Sequence, residues 1–65
     1  MNWDKVEGNW TIFKGKVREK WGKLTDDELE QLKGKGDRLV GRIQERYGET
    51  RDQIEREMNN LMNRI

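Results

Sequence analysis

The stretch that decides the fold is Phe13 to Gly22, which reads F-K-G-K-V-R-E-K-W-G. It recurs twenty-six residues later as L-V-G-R-I-Q-E-R-Y-G, from Leu39 to Gly48. Both copies place a glycine, a β-branched residue, a glutamate, a cation, an aromatic residue and a second glycine at equivalent positions. Internal repetition of this kind predicts a duplicated structural unit. The block indicates a structural repeat and contains no motif for catalysis or ligand binding.

Size and composition allow one domain at most, covering residues 1–65. A chain of this length buries only about 60% of the surface that it exposes when unfolded. We therefore expect marginal stability, and weak homo-oligomerisation is one way to cover apolar surface that a small core leaves exposed. Charged residues make up 42% of the chain, yet the net charge is only +1. That balance favours solubility over strong attraction of a polyanion.

The residue types that are missing exclude several classes of chemistry. The chain has no cysteine and no histidine, so it offers no disulfide, no thiolate metal site and no imidazole switch near neutral pH. Serine is absent as well, and Thr25 and Thr50 stand at helix caps, where no adjacent base other than carboxylates exists. We expect no enzyme activity, no cofactor and no metal. No apolar run approaches a membrane span and no signal-peptide core follows Met1, so the expected location is the cytoplasm.

The first part of the chain carries an apolar stripe at helical spacing. Successive stripe residues are three or four positions apart, which places them on one face of a helix. The pattern predicts one helix over about residues 3–21, with first turns that fray and with Gly22 as its C-terminal stop. The stripe consists of Trp3, Val6, Trp10, Phe13, Val17 and Trp21.

A strong helix start follows in the segment L-T-D-D-E-L. Thr25 is the predicted N-cap, and Glu28 completes a capping box with it. Leu24 and Leu29 have the spacing of a hydrophobic staple. This second helix is predicted to run to about Lys33, with the glycine at position 34 ending it.

The second half of the chain repeats this plan. Asp37 is the predicted cap of a third helix that Gly48 ends, and Thr50 with Gln53 forms a second, weaker capping box before a fourth helix. The apolar faces of these two helices comprise Leu39, Val40, Ile43 and Tyr47, then Ile54, Met58, Leu61, Met62 and Ile65. The sequence thus predicts an all-α fold of four short helices, arranged as two packed α-hairpins.

Several segments at fixed spacing resemble the CsbD-like family of small bacterial stress-response proteins. They are G-N-W at Gly8 to Trp10, F-K-G-K-V at Phe13 to Val17, W-G-K-L-T-D-D at Trp21 to Asp27, and the block from Leu39 to Gly48. The resemblance implies two roughly orthogonal α-hairpins, similar to SAM-domain-like bundles. It also implies a general stress role without a settled molecular activity, and it offers no catalytic residues. Gly36 departs from the longer side chain often found there and predicts a looser middle turn.

Two charged clusters have plain structural interpretations. Asp26, Asp27, Glu28 and Glu30 suit the positive end of a helix dipole better than a metal site, because consecutive carboxylates on a helix point in different directions. The cations between Lys14 and Lys23 fall on both flanks of the apolar stripe, which is typical of a solvated rim rather than a phosphate-binding patch. The tryptophans lie on the stripe itself, so core packing is favoured over stacking on bases.

One segment keeps a nucleic-acid hypothesis open. Residues 32–43, L-K-G-K-G-D-R-L-V-G-R-I, resemble a helix-hairpin-helix motif, in which turn amides receive a backbone phosphate. Lys35 stands where that motif usually has an apolar residue, Asp37 opposes a phosphate, and a G-x-G turn also serves simple C-capping. The candidate phosphate contacts are Gly34, Lys35, Gly36, Arg38 and Arg42.

The sequence leaves two functional hypotheses. The first is a non-enzymatic stress protein that protects macromolecules through a hydrated, hydrophilin-like surface, as the mean hydropathy of −1.28 suggests. The second is weak, non-specific nucleic-acid binding through the turn at 32–43. Gly15 and Gly41 occupy matching helical positions without an evident role. Either another backbone approaches them closely, or they keep both helices marginal.

Overall fold

A computed structural model of the chain describes residues 2–64, so Met1 and Ile65, including the predicted place of Ile65 on the last apolar face, lie outside the described residues. The all-α prediction is confirmed, since residues 2–64 contain helices and no strand. There are five helices in this part of the chain rather than the predicted four. They are α1 (Trp3–Gly8), α2 (Trp10–Lys20), α3 (Asp26–Gln31), α4 (Gly36–Tyr47) and α5 (Arg51–Asn63).

The extra helix arises because the predicted first helix is broken at Asn9. The side-chain Nδ2 of Asn9 donates to the Lys5 carbonyl at 2.9 Å, and its backbone N–H donates to the carbonyls of Lys5 and Val6. Asparagine favours such local bonds over helix propagation, and Gly8 before it has a low helix propensity. The apolar stripe keeps its phase across the break, since Val6 and Trp10 are both buried. The predicted buried face is therefore correct, but the prediction of one continuous helix is wrong.

Of the three predicted terminating glycines, Gly48 caps α4 with φ 69°. The prediction for Gly34 is wrong, because α3 is capped at Leu32 and Gly34, with φ 75°, lies two residues beyond that cap. Gly22 directly follows the C-cap residue of α2, as predicted, but without positive φ, and that cap is Trp21 with φ −120°. The chain turns there through a bond from the Leu24 N–H to the Trp21 carbonyl at 3.1 Å.

The two threonine caps form as predicted, but their capping boxes differ. Thr25 Oγ1 accepts from the Glu28 backbone N–H at 3.1 Å, while the Glu28 carboxylate turns away toward two arginines instead of closing the box. Thr50 and Gln53 form the complete box, with bonds of 3.2 and 3.3 Å. The second box, predicted to be the weaker one, is therefore the closed one.

The boundaries around the middle turn also shift. α3 ends at Gln31 rather than near Lys33, and α4 begins at Gly36. Lys35 takes the N-cap position, without a side-chain capping bond. Asp37 therefore lies inside the first turn of α4 and is not its cap.

One hydrophobic cluster forms the core of the described residues. α5 packs against both α4 and α2, and α3 packs against α2. Trp3 and Tyr47 pack at the edge of this cluster. Its members are Val6, Trp10, Phe13, Val17, Trp21, Leu24, Leu29, Leu32, Leu39, Val40, Ile43, Ile54, Met58, Leu61 and Met62.

The ends of the two repeats interlock through a reciprocal pair of hydrogen bonds. The buried indole N–H of Trp21 donates to Oε1 of Glu49 at 2.9 Å. The backbone N–H of Lys23 donates to the hydroxyl of Tyr47 at 2.8 Å. Trp21 is equivalent to Tyr47 in the repeat, and Lys23 is equivalent to Glu49. Each aromatic side chain is therefore hydrogen-bonded to the other repeat, at the residue two positions after the equivalent aromatic residue there.

The glycines at 15, 36 and 41 have different environments. A Cβ at Gly36 would overlap the indole ring of Trp3, so the middle turn is tightly packed and not loose as predicted. A Cβ at Gly15 or Gly41 would meet nothing within 4 Å. Close approach of another backbone therefore does not explain these two glycines, and both simply weaken their helices.

We predict that Gly15→Ala and Gly41→Ala each raise the free energy of unfolding by about 0.5–1 kcal/mol, because alanine fits a helix interior better than glycine. Gly36→Ala should lower it, because the added methyl group displaces the Trp3 ring. Urea unfolding followed by circular dichroism measures all three. Destabilisation by Gly15→Ala, or no loss with Gly36→Ala, would contradict these assignments.

Candidate nucleic-acid interface

Two acidic residues of α3, Asp26 and Glu30, form ion pairs with a neighbouring helix. Lys14 Nζ lies 3.0 Å from Asp26 Oδ1 and 2.7 Å from Glu30 Oε1. The indole N–H of Trp10 also donates to Glu30 Oε1, at 3.1 Å. Within residues 2–64, no group of three acidic side chains is arranged to hold a metal ion. These carboxylates attach α3 to α2.

Glu28 attaches the same short helix to α4. Its Oε2 accepts from Arg42 Nη1 at 3.1 Å, and its Oε1 accepts from Arg46 Nη2 at 2.9 Å. Arg46 also donates to the Lys23 carbonyl at 3.2 Å. The Glu28 side chain is only 18% exposed, so water screens these contacts less than on an open surface. α3 is thus held by carboxylates on both of its sides.

These contacts shift the pKa values of the groups involved. The hydrogen bond that Lys14 donates to Glu30, aided by its bond to Asp26, raises the pKa of Lys14. The same bond lowers the pKa of Glu30. Burial on its own would raise the pKa of Glu28, but Arg46 and Arg42 together outweigh it and lower that pKa. The charged forms are therefore the ones that hold α3 in place.

Cations on α2 are largely directed to partners within the protein. Arg18 lies 3.9 Å from Asp26, which Lys14 also contacts, and Lys20 lies 3.6 Å from Glu57. The Lys23 ammonium lies 5.0 Å from the centre of the Tyr47 ring. This arrangement is a solvated rim with local pairing, as the sequence pattern favoured.

The turn between α3 and α4 has one backbone feature that an anion site needs. Gly34 has positive φ, as such a site requires, but the Lys35 N–H already donates to the Leu32 carbonyl at 2.9 Å and is not free for an anion. An open pocket of about 340 Å³ lies over this turn. Four of the five candidate phosphate contacts, Gly34, Lys35, Gly36 and Arg38, line it together with Trp3 and Asp37. Arg42 does not line this pocket.

The N-terminal helix covers part of the same turn. The Trp3 ring lies on Gly36, and a Cβ at Gly34 would lie 3.1 Å from Oε2 of Glu7. Asp37 adds a second carboxylate and pairs with Arg51. A phosphate approaching the turn amides thus meets an indole ring and negative charge. No local pattern around Trp3 or Glu7 indicates these contacts, because both partners are far away along the chain.

Unpaired cations nevertheless gather beside the turn. Lys33, Lys35 and Arg38 are exposed, and within residues 2–64 none of them forms an ion pair. Arg42 lies one turn further along α4 and pairs with Glu28 and, at 3.7 Å, with Glu45. This end of the molecule offers positive charge that is not directed to a partner within the described chain.

The fold and the surface together define a small helical protein with an apolar core and a highly charged exterior. The profile of the CsbD-like family matches residues 4–56, and the chain belongs to this family. None of the names of the similar proteins is that of an enzyme. No solved structure gives a significant match.

Similar proteins occur in several bacteria. The UPF0337 protein YjbJ of Escherichia coli strain K12 is 60% identical over 58 residues, which cover 89% of this chain and 84% of that protein. The UPF0337 protein ECA0631 of Pectobacterium atrosepticum is 59% identical over 58 residues, with shares of 89% and 84%. The UPF0337 protein RPA4217 of Rhodopseudomonas palustris is 53% identical over 59 residues, with shares of 91% and 89%.

We predict that Glu28→Gln lowers stability at pH 7 and makes stability less dependent on pH in the acidic range. The pKa of Glu28 is lowered by folding, so its stabilising contribution is present above the unfolded pKa of about 4.3 and is lost as the pH falls through the folded value. Urea unfolding at a series of pH values between 7 and 3 measures both effects.

Asp27→Asn is the matched control, since Asp27 stands in the same helical turn, is exposed, and forms no ion pair within residues 2–64. Asp27→Asn should change the pH dependence of stability in the acidic range far less than Glu28→Gln does. Equal effects of the two substitutions would contradict the role assigned to Glu28.

Proposed function

We propose that this chain is a non-enzymatic bacterial stress-response protein that protects other macromolecules through its hydrated surface. The observation that carries the proposal is the division of the molecule into an apolar core and an exterior of balanced charge. The buried residues of the described chain include no polar or charged side chain, while 42% of all residues are charged at a net +1. Such a surface holds water and remains soluble without strong attraction to one partner.

Weakened helices support a protective role that involves partial unfolding. Gly15 and Gly41 lie inside helices with open space around them, so their destabilising effect is not offset by a packing contact. Loss of water would then unfold some of the structure into an extended, charged chain that covers other proteins. The SAM-domain-like arrangement, a single domain over residues 1–65 and a cytoplasmic location stay predictions.

We predict that the purified protein preserves the activity of a labile dehydrogenase through drying better than an equal mass of an inert globular protein. The physical reason is that its dense charged groups replace part of the water around the enzyme. Recovered activity after rehydration is the measurement. Recovery no better than with the inert protein would refute the protective function.

A double variant, Gly15→Ala with Gly41→Ala, separates the two parts of this mechanism. It keeps the charged surface and makes both helices more stable. If partial unfolding contributes, the double variant should protect less well than the natural sequence at equal mass. Equal protection would refute the contribution of unfolding and leave the hydrated surface as the cause.

The second candidate function is weak, non-specific binding of nucleic acid at the α3–α4 turn, in the cationic region of Gly34, Lys35, Gly36, Arg38 and Arg42. It is supported by the exposed, unpaired side chains of Lys35 and Arg38 and by the left-handed glycine at position 34. Counterion release makes such binding strongest at low salt. The opposing carboxylates of Glu7 and Asp37 keep the expected affinity low.

Weak self-association is a separate proposal. Ile12 is the large apolar side chain that stays exposed in the described residues, with 53% of its surface accessible. One such residue offers a small contact area, so any homo-oligomer should form only at high concentration. Sedimentation over a concentration series measures it, and Ile12→Lys should abolish any association that is found.

A further inference from the structure

A second groove lies along α4, and Trp3 does not line it. Its volume is about 400 Å³, and it runs from the α3–α4 turn along α4 as far as Glu45. Lys35 and Arg38 border both this groove and the pocket over the turn. The residues that line the groove are Gln31, Leu32, Lys35, Arg38, Gly41, Arg42 and Glu45.

We propose that this groove, rather than the turn amides, receives the phosphates of a nucleic-acid backbone. The inference rests on the second candidate function and specifies which surface of the protein contacts the nucleic acid. Three cations line the groove against one carboxylate, that of Glu45. Arg38 and Arg42 are four residues apart on α4, which places their Cβ atoms about 5–6 Å apart on one helix face, and Lys35 precedes them at the N-cap position. The three cations form a row that can neutralise phosphates of a strand.

Arg42 is held in a defined orientation within this row. Its Nη1 donates to Glu28 at 3.1 Å, and its side chain remains 38% exposed. A guanidinium has five N–H donors, so its contacts with Glu28 and Glu45 leave others for a phosphate. Glu45 lies 3.7 Å from Arg42 Nε, but its side chain is 75% exposed and it can move aside.

The groove differs from the turn pocket in what covers it. Trp3 and the carboxylate of Asp37 line the turn pocket, and Glu7 lies against Gly34. None of these three groups lines the groove along α4. An anion therefore approaches Lys35 and Arg38 more readily from the groove than across the turn.

The groove also gives Gly41 a position with functional meaning. Gly41 lines it, and the absence of a side chain leaves open space between the cations. A phosphate oxygen can then come close to the helix backbone, which a larger residue would prevent. Gly15, its counterpart in the first repeat, also lies in open space but borders none of the described grooves. The two glycines are thus a matched pair for an experiment.

The chemistry around the groove favours a nucleic-acid backbone over an anionic membrane. Exposed apolar side chains beside the cations strengthen binding at a membrane interface. In residues 2–64 the exposed large apolar side chain is Ile12, which lies on α2 and does not line the groove. A row of cations on a polar surface is instead the arrangement that contacts phosphates without reading sequence.

The test uses fluorescence anisotropy with a labelled DNA duplex at two low salt concentrations, together with an amide-shift titration of the natural sequence. Gly41→Glu should weaken binding several-fold, whereas Gly15→Glu, with the same change in net charge, should leave it nearly unchanged. Lys35→Glu with Arg38→Glu should weaken binding at least tenfold and reduce the salt slope by about 2, about 1 for each lost phosphate contact.

Lys5→Glu with Lys16→Glu is the control for net charge, because both lysines lie outside the groove and form no ion pair within residues 2–64. It should weaken binding much less than the groove pair does. Circular dichroism of each variant establishes that it remains helical.

Three results would overturn the groove assignment while leaving nucleic-acid binding in place. They are equal weakening by groove and control variants, amide shifts confined to Gly34–Gly36, and retention of full affinity by Gly41→Glu. Absence of any binding to duplex at low salt would remove the second candidate function and the groove together. Binding to anionic phosphatidylglycerol vesicles without binding to duplex would overturn the proposal in favour of a membrane surface.

Discussion

The arrangement of the two repeats depends on a buried indole N–H. Trp21 is 1% exposed, so its N–H has to find an acceptor within the protein, and that acceptor is Glu49 of the other repeat. A buried donor left without a partner costs about 1–3 kcal/mol, a large share of the stability of a small domain. The Tyr47 hydroxyl accepts from Lys23 in the reciprocal direction. Each repeat thus bonds the terminal aromatic residue of the other, and we expect the two to fold together.

The remaining parts of the molecule attach to this interlocked centre by different means. α3 has six residues and is held by Glu28 and Glu30 through cations of two other helices, besides the burial of Leu29. α1 also has six residues and is held by burial of Val6 and by the Trp3 ring on the middle turn. Helices this short are unstable alone. Many charged groups therefore serve the fold, and three of the cations without an ion pair in residues 2–64, Lys33, Lys35 and Arg38, gather beside the α3–α4 turn.

The sequence predicts the helix faces well because burial follows the helical period, and that period survives even the break at Asn9. It also locates the threonine caps and the glycines that follow or cap α2 and α4, which depend on local geometry. It fails where a distant partner competes with a local rule. Glu28 leaves its capping box for two arginines of α4, and Trp3 lies on Gly36 from the other end of the chain. The glycine turn of the candidate site is thus predictable, whereas its cover by α1 is not.

Native-state hydrogen exchange tests the interlocking of the two repeats most directly. If the reciprocal bonds make one cooperative unit, the slowest amides of α2 and of α4 should exchange with the same free energy of opening, equal to that of global unfolding. Amides of α1 and α3 should exchange with lower free energies of opening. Protection of α4 and α5 that persists after α2 has exchanged would show two independent hairpins and contradict the account.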